Sequence, residues 1–142
     1  MSERICLVHP NPGPGCETFI RAHVERLPGV SAVLYGGHMP VFQEDGTPLY
    51  PDLPRRASEL FCPSGLPKSE NHHRAVDALS QYLCQQSFEV VLAEYGPTGV
   101  ALTEPCRLAG VPLVVHFHGF DAAMSTVIDK YRAGYMSLFE SC

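Results

Sequence analysis

The chain has 142 residues, a length that suits one ordinary domain, and 45% hydrophobic against 18% charged residues places it among globular proteins rather than disordered ones. Ten basic and fifteen acidic residues leave a formal charge of −5. The bases are scattered without a stripe, so no nucleic-acid partner is expected, because phosphate neutralisation supplies most of that affinity.

No apolar run approaches the roughly 20 residues of a membrane span, and Ile5-Cys6-Leu7-Val8 is too short for the core of a secretory signal. The cysteines at positions 6, 16, 62, 84, 106 and 142 make no CxxC pair and no zinc-finger spacing with histidine. Reduced thiols in a cytoplasmic protein are the expectation, with Cys6 a small core residue.

Ile5 to His9 predicts a short buried strand, closed by the turn-forming Pro10-Asn11-Pro12-Gly13-Pro14-Gly15. Phe19, Ile20, Val24 and Leu27 fall on one face of a following helix, with Glu17 in its first turn and Pro28-Gly29 as its stop. Ser31 to Tyr35 predicts a second strand. Residues 36–69 hold six prolines and little periodicity. Met39 to Gln43 and Thr47 to Tyr50 can pair there across Glu44-Asp45-Gly46, and the remainder reads as a long loop of the kind that is usually functional or mobile.

Helical spacing returns from Ser69 to about Gln86 through His72, Val76, Leu79 and Leu83, with His72-His73 read as a solvated pair. Glu89 to Ala93 predicts a buried strand, and Tyr95 to Gly99 a tight turn in which Thr98 can cap the next helix. That helix runs to Ala109, stops at Gly110, and contains Pro105, which should kink or divide it. Leu113 to Phe117 is the next strand. Asp121 can cap a last helix whose face carries Val127, Tyr131, Tyr135 and Leu138. The order is that of an α/β domain: a Rossmann-like, mostly parallel sheet with helices on both faces, and residues 1–142 as a single domain.

Ligands of open α/β sheets bind outside the carboxyl ends of the strands. Residues 10–16, 95–99 and 118–121 each join a strand end to a helix start, so they should share one edge of the sheet. In Gly13-Pro14-Gly15-Cys16-Glu17-Thr18 the first two glycines of GxGxxG are present and the third is missing, and no Walker lysine follows. This loop is either a plain turn or a backbone surface for a phosphate, which Glu17 would oppose. Alternation sends His116 and His118 to one face and Phe117 to the other. His118 is the stronger functional candidate. Glu94, at a strand end, can accept hydroxyl protons or pair with an arginine.

Two stretches carry a resemblance: Ala93-Glu94-Tyr95-Gly96-Pro97-Thr98-Gly99, and Gly110-Val111-Pro112-Leu113-Val114-Val115-His116-Phe117-His118-Gly119-Phe120-Asp121. Together with Cys16-Glu17-Thr18-Phe19-Ile20, similar to a Ser-Glu-Thr-Phe-Ile run, they resemble the N-terminal domain of retaining glycosyltransferases of family 4, of GT-B fold. The resemblance implies transfer of a sugar from a nucleotide-sugar donor to a hydroxyl of a glycan, lipid or small-molecule acceptor, without an essential metal or other cofactor. It implies that Gly13 and Gly15 approach the donor diphosphate and that His118, the catalytic candidate, lies near the transferred sugar. Gly96, Thr98, Gly99 and Asp121 would belong to the acceptor side.

Cys16 departs from the family's serine. The resemblance also implies that the C-terminal nucleotide-sugar domain lies outside these 142 residues, so they should be inactive alone, and that the full-length protein can touch a membrane peripherally. Glu17 and Glu25 have the family's Glu-x7-Glu spacing but fall in the wrong domain to replace its acidic site.

Two other classes fit the residues. One is a non-catalytic Rossmann-like domain that binds a phosphorylated or sugar ligand. The other is a small hydrolase with a metal among His116, His118 and Asp121. Val127, Ile128, Tyr131 and Phe139 are too many for one narrow buried stripe, so self-association is expected.

Overall fold

The computed structural model describes residues 3–13, 17–61 and 67–141. Its elements in order are β1 (Ile5–Val8), α1 (Thr18–Arg26), β2 (Val30–Tyr35), β3 (Phe42–Gln43), α2 (Ala57–Leu60), α3 (Glu70–Gln85), β4 (Val90–Glu94), α4 (Gly96–Ala109), β5 (Leu113–His116), α5 (Gly119–Ala123) and α6 (Ser125–Ser141). The sheet runs β3-β2-β1-β4-β5, parallel throughout except for β3, which pairs antiparallel with β2. This is a Rossmann-like α/β fold.

Right-handed crossovers decide which face each helix covers. The chain moves one way along the sheet from β1 to β2 and the other way from β2 to β4 and β5, so α1 lies opposite α3 and α4. Side-chain alternation fits this division. Leu7 and Val33 pack under Ile20 of α1, while Cys6, Val8, Leu34, Val91 and Ala93 face Val76, Leu79, Leu83 and Leu102. Each fully buried leucine or isoleucine contributes about 1.5–3 kcal/mol. The larger core is therefore on the α3/α4 face.

Several expectations change. The sequence predicts one hairpin and otherwise a long loop over residues 36–69. Met39, Val41, Tyr50, Leu53 and Leu60 are instead buried in the larger core. Phe42 and Gln43 continue the sheet, and Leu49 N donates to Val41 O at 2.8 Å across the turn. Met39 and Val41 alternate along the predicted hairpin strand, but Leu53 and Leu60 stand outside any predicted element, so pattern alone hides their burial.

Helix α4 starts two residues before Thr98 and includes Pro105 as one element, ended by Gly110 in the left-handed region at φ 68°. The last helix is two, separated at Met124, whose ψ of 115° is extended. Ser125-Thr126, with Asp129 three residues beyond Thr126, is the helix-start signal that follows the break. His72 is buried, with Nδ1 2.8 Å from the Leu60 carbonyl oxygen, and only His73 is exposed. The described part of α6 leaves Phe139 and Met136 exposed and buries Tyr131, Tyr135 and Leu138. No helix among the described residues is long and apolar enough to cross a membrane.

Candidate functional site

The sheet order reverses at β1, which has β2 on one side and β4 on the other. The crevice beyond the carboxyl ends of β1 and β4 is where such sheets bind ligands. An open cleft of about 700 Å³ lies there. Pro10 and Asn11 follow β1, Glu17 precedes α1, and Tyr95 and Pro97 follow β4. Phe120 and Asp121 come from α5, and Thr126, Lys130 and Tyr131 from α6. Residues from all three strand-end loops therefore meet at one rim, as their positions in sequence predict.

His38 is a fourth contributor that the sequence reading passed over. It follows β2 by three residues, and the same strand-end rule would have found it. Its Nδ1 is hydrogen-bonded to Thr98 Oγ1 at 3.0 Å, and its ring stands edge-on to Tyr131. Burial, aided by Lys130, holds this imidazole down at about 4.

Tyr95 turns the chain from β4 into α4 with φ at 77°, a conformation that is strained for a residue with a side chain. Its phenol donates to Glu17 Oε2. Burial first, and then the Glu17 carboxylate, push that phenol up.

Beneath the rim lies the most concentrated polar group. Glu94 is fully buried. Its Oε1 accepts from His23 Nδ1 of α1, while Oε2 accepts from His116 Nδ1 at 3.0 Å and from His118 Nε2 at 2.9 Å. Parallel pairing places Glu94 directly beside His116. The His118 ring is held between Phe19 and Tyr95, with centroids 4.4 and 4.2 Å away, and only 12% of its side chain is exposed. Alternation does send both histidines to one face, where they share a carboxylate that the sequence could not pair with them.

The other predicted residues are placed as follows. Asp121 does not join His116 and His118 at a metal-like centre: its Oδ2 accepts from Gly96 N, and its Oδ1 from His118 N at 2.6 Å. It borders the cleft and at the same time locks α5 to the start of α4. Thr98 does not cap α4; it lies within the helix, buried.

Gly96 and Gly99 are buried at close packing. A Cβ on Gly96 would lie 2.4 Å from Phe117 Cε1, and one on Gly99 2.5 Å from Val115 Cγ2. A Cβ on Gly13 would meet nothing within 4 Å. Gly15 and Cys16 lie outside the described residues. His9, at the end of β1, is buried with no partner for either ring nitrogen among the described residues, and burial pushes its imidazole down.

Against protein-family models, curated proteins and solved structures, the chain finds no significant match in any of the three comparisons.

Proposed function

We propose that this domain is the acceptor-side half of a retaining glycosyltransferase, binding a sugar-bearing or hydroxyl-bearing acceptor in the cleft beyond β1 and β4. The observation that carries the reading is that cleft. Its lining mixes aromatic faces (Tyr95, Phe120, Tyr131) with Asn11, Thr126, His38 and Lys130, which can donate to hydroxyl oxygens. Aromatic faces beside a few aimed polar groups suit a saccharide, whose C–H faces stack while its hydroxyls hydrogen-bond. The motif resemblance supplies the reaction class, and the cleft supports the binding half of it.

Within this reading α1 starts beside the cleft-lining Glu17, which makes no side-chain cap bond among the described residues, and a donor diphosphate would lie against the first N–H groups of that helix. Transfer then requires a second domain to hold the nucleotide. His118, clamped by Phe19 and Tyr95, orients the wall of the site rather than moving freely in it. Glycines 96 and 99 act by letting α4 pack closely against β5 and α6, which sets where the rim lies.

The test has two arms. Amide-resolved NMR of the 142-residue chain titrated with a saccharide panel is expected to shift Asn11, Tyr95, Phe120 and Lys130. A donor-panel product assay is expected to show transfer by the full-length protein and none by these residues alone. Shifts centred away from the cleft, transfer by the isolated chain, or saccharide binding by a full-length protein that consumes no donor would each overturn the proposal.

A further inference from the structure

We propose that His23, Glu94 and His116 form a divalent-cation site, with Zn²⁺ the best chemical fit, beside the cleft and independent of the sugar-transfer reading. The three residues come from three different elements, α1, the end of β4 and the end of β5. Their ligand atoms all lie within 4.8 Å of one another. Tetrahedral zinc at about 2.0–2.2 Å from each donor needs ligand atoms roughly 3.3 Å apart. Both Nδ1 atoms now touch the carboxylate by hydrogen bonds, so a cation would take the place of the two shared protons, and a small outward swing of the imidazoles, whose side chains are 33% and 43% exposed, makes the room. The carboxylate, wholly buried, is the fixed member.

Charge supplies the second argument. Among the described residues, every ion-pair partner of Glu94 is an imidazole, with no lysine or arginine beside it. A wholly buried carboxylate with no lysine or arginine beside it is costly, and a divalent cation held between it and two imidazole nitrogens offsets that cost. Two histidine nitrogens and one carboxylate oxygen are borderline donors that suit zinc over the hard ions calcium and magnesium.

The surroundings supply the third. Metal-binding carboxylates are usually held by a further hydrogen bond. Here His118 Nε2 donates to Glu94 Oε2 at 2.9 Å, and the His118 ring is itself wedged between Phe19 and Tyr95. Three protein ligands with half-exposed imidazoles leave a coordination position open to solvent, the pattern of zinc sites that act on a ligand rather than of closed structural ones. The set differs from the His116, His118 and Asp121 group weighed from sequence, since Asp121 is occupied by two backbone N–H groups.

Cobalt(II) is the probe. Chelator-treated protein titrated with Co²⁺ is expected to bind one ion per chain, with the strong visible bands of a tetrahedral site and without thiolate-to-cobalt charge transfer. Zn²⁺ should displace it. His23→Asn and His116→Asn should each weaken binding by about tenfold or more, while His73→Asn, on the exposed face of α3, should leave it unchanged. Both ligand variants change half-exposed side chains, so they report even if Glu94→Gln fails to fold. No cobalt uptake, uptake insensitive to His23→Asn and His116→Asn, or bands dominated by thiolate charge transfer would overturn the proposal.

Discussion

Replacing His38 with glutamine isolates one titration that the folded protein suppresses. Burial, reinforced by the Lys130 ammonium and opposed by the Asp121 carboxylate, holds the imidazole at about 4, against 6.5 for an unperturbed side chain. Because the folded value is depressed, the unfolded chain takes up a proton first as the pH falls. The contribution of the neutral ring is therefore complete above the unfolded value of 6.5 and is lost between there and about 4. Linkage converts the gap into about 2.5 kcal/mol of stability lost by about pH 4.5.

His9 and His72 are also held down, by burial first, and act in the same direction. The informative quantity is consequently a difference. Urea unfolding of wild type and His38→Gln, followed by circular dichroism from about pH 7 to about pH 4.5, should show the wild type losing about 2.5 kcal/mol more than the variant. Glutamine keeps a polar end near Thr98 and does not titrate. An imidazole resonance of His38 that titrates near 6.5 in the folded protein would refute the reasoning, as would a difference between the two proteins that does not change with pH.

Gly96→Ala should destabilise by about 1–3 kcal/mol, because its Cβ would lie 2.4 Å from Phe117 Cε1 and 2.7 Å from the Tyr135 hydroxyl. Thermal melting should then fall by roughly 3–10 °C, and an unchanged melt would show that α4 is not packed as described. Alkylation of the native protein, mapped by mass spectrometry, should modify exposed Cys84 well before Cys6 and Cys106. Burial pushes the Cys106 thiol up to about 12 and the Cys6 thiol higher still, so both should label only after unfolding. Fast native labelling of either would contradict their place in the core.

Much of the architecture was legible because it depends on local period and punctuation. Ile5 to Val8 and Leu113 to His116 are short apolar runs ended by turn formers, and α3 starts where Ser69 accepts a hydrogen bond from His72 N. In the 36–69 segment the hairpin was legible, but the burial of Leu53 and Leu60 was not, because they stand outside any periodic run. His38 was within reach of the same rule, three residues beyond the predicted Ser31 to Tyr35 strand, but the loop after that strand opens no helix in the sequence and so drew no attention. The division between α5 and α6 had only the weak local signal of Ser125-Thr126 ahead of Asp129.

By itself the chain determined the alternation of strands and helices and hence, because strands joined through helices run parallel, that the strand-end loops share a rim. The chemistry at that rim was decided only by tertiary structure. Glu94 meets His116, His118 and His23 across 22, 24 and 71 residues of sequence. Those meetings depend on the register of β4 against β5 and on which side chain of α1 faces down. A parallel sheet makes such contacts between segments far apart in the chain, where neither spacing nor composition records them.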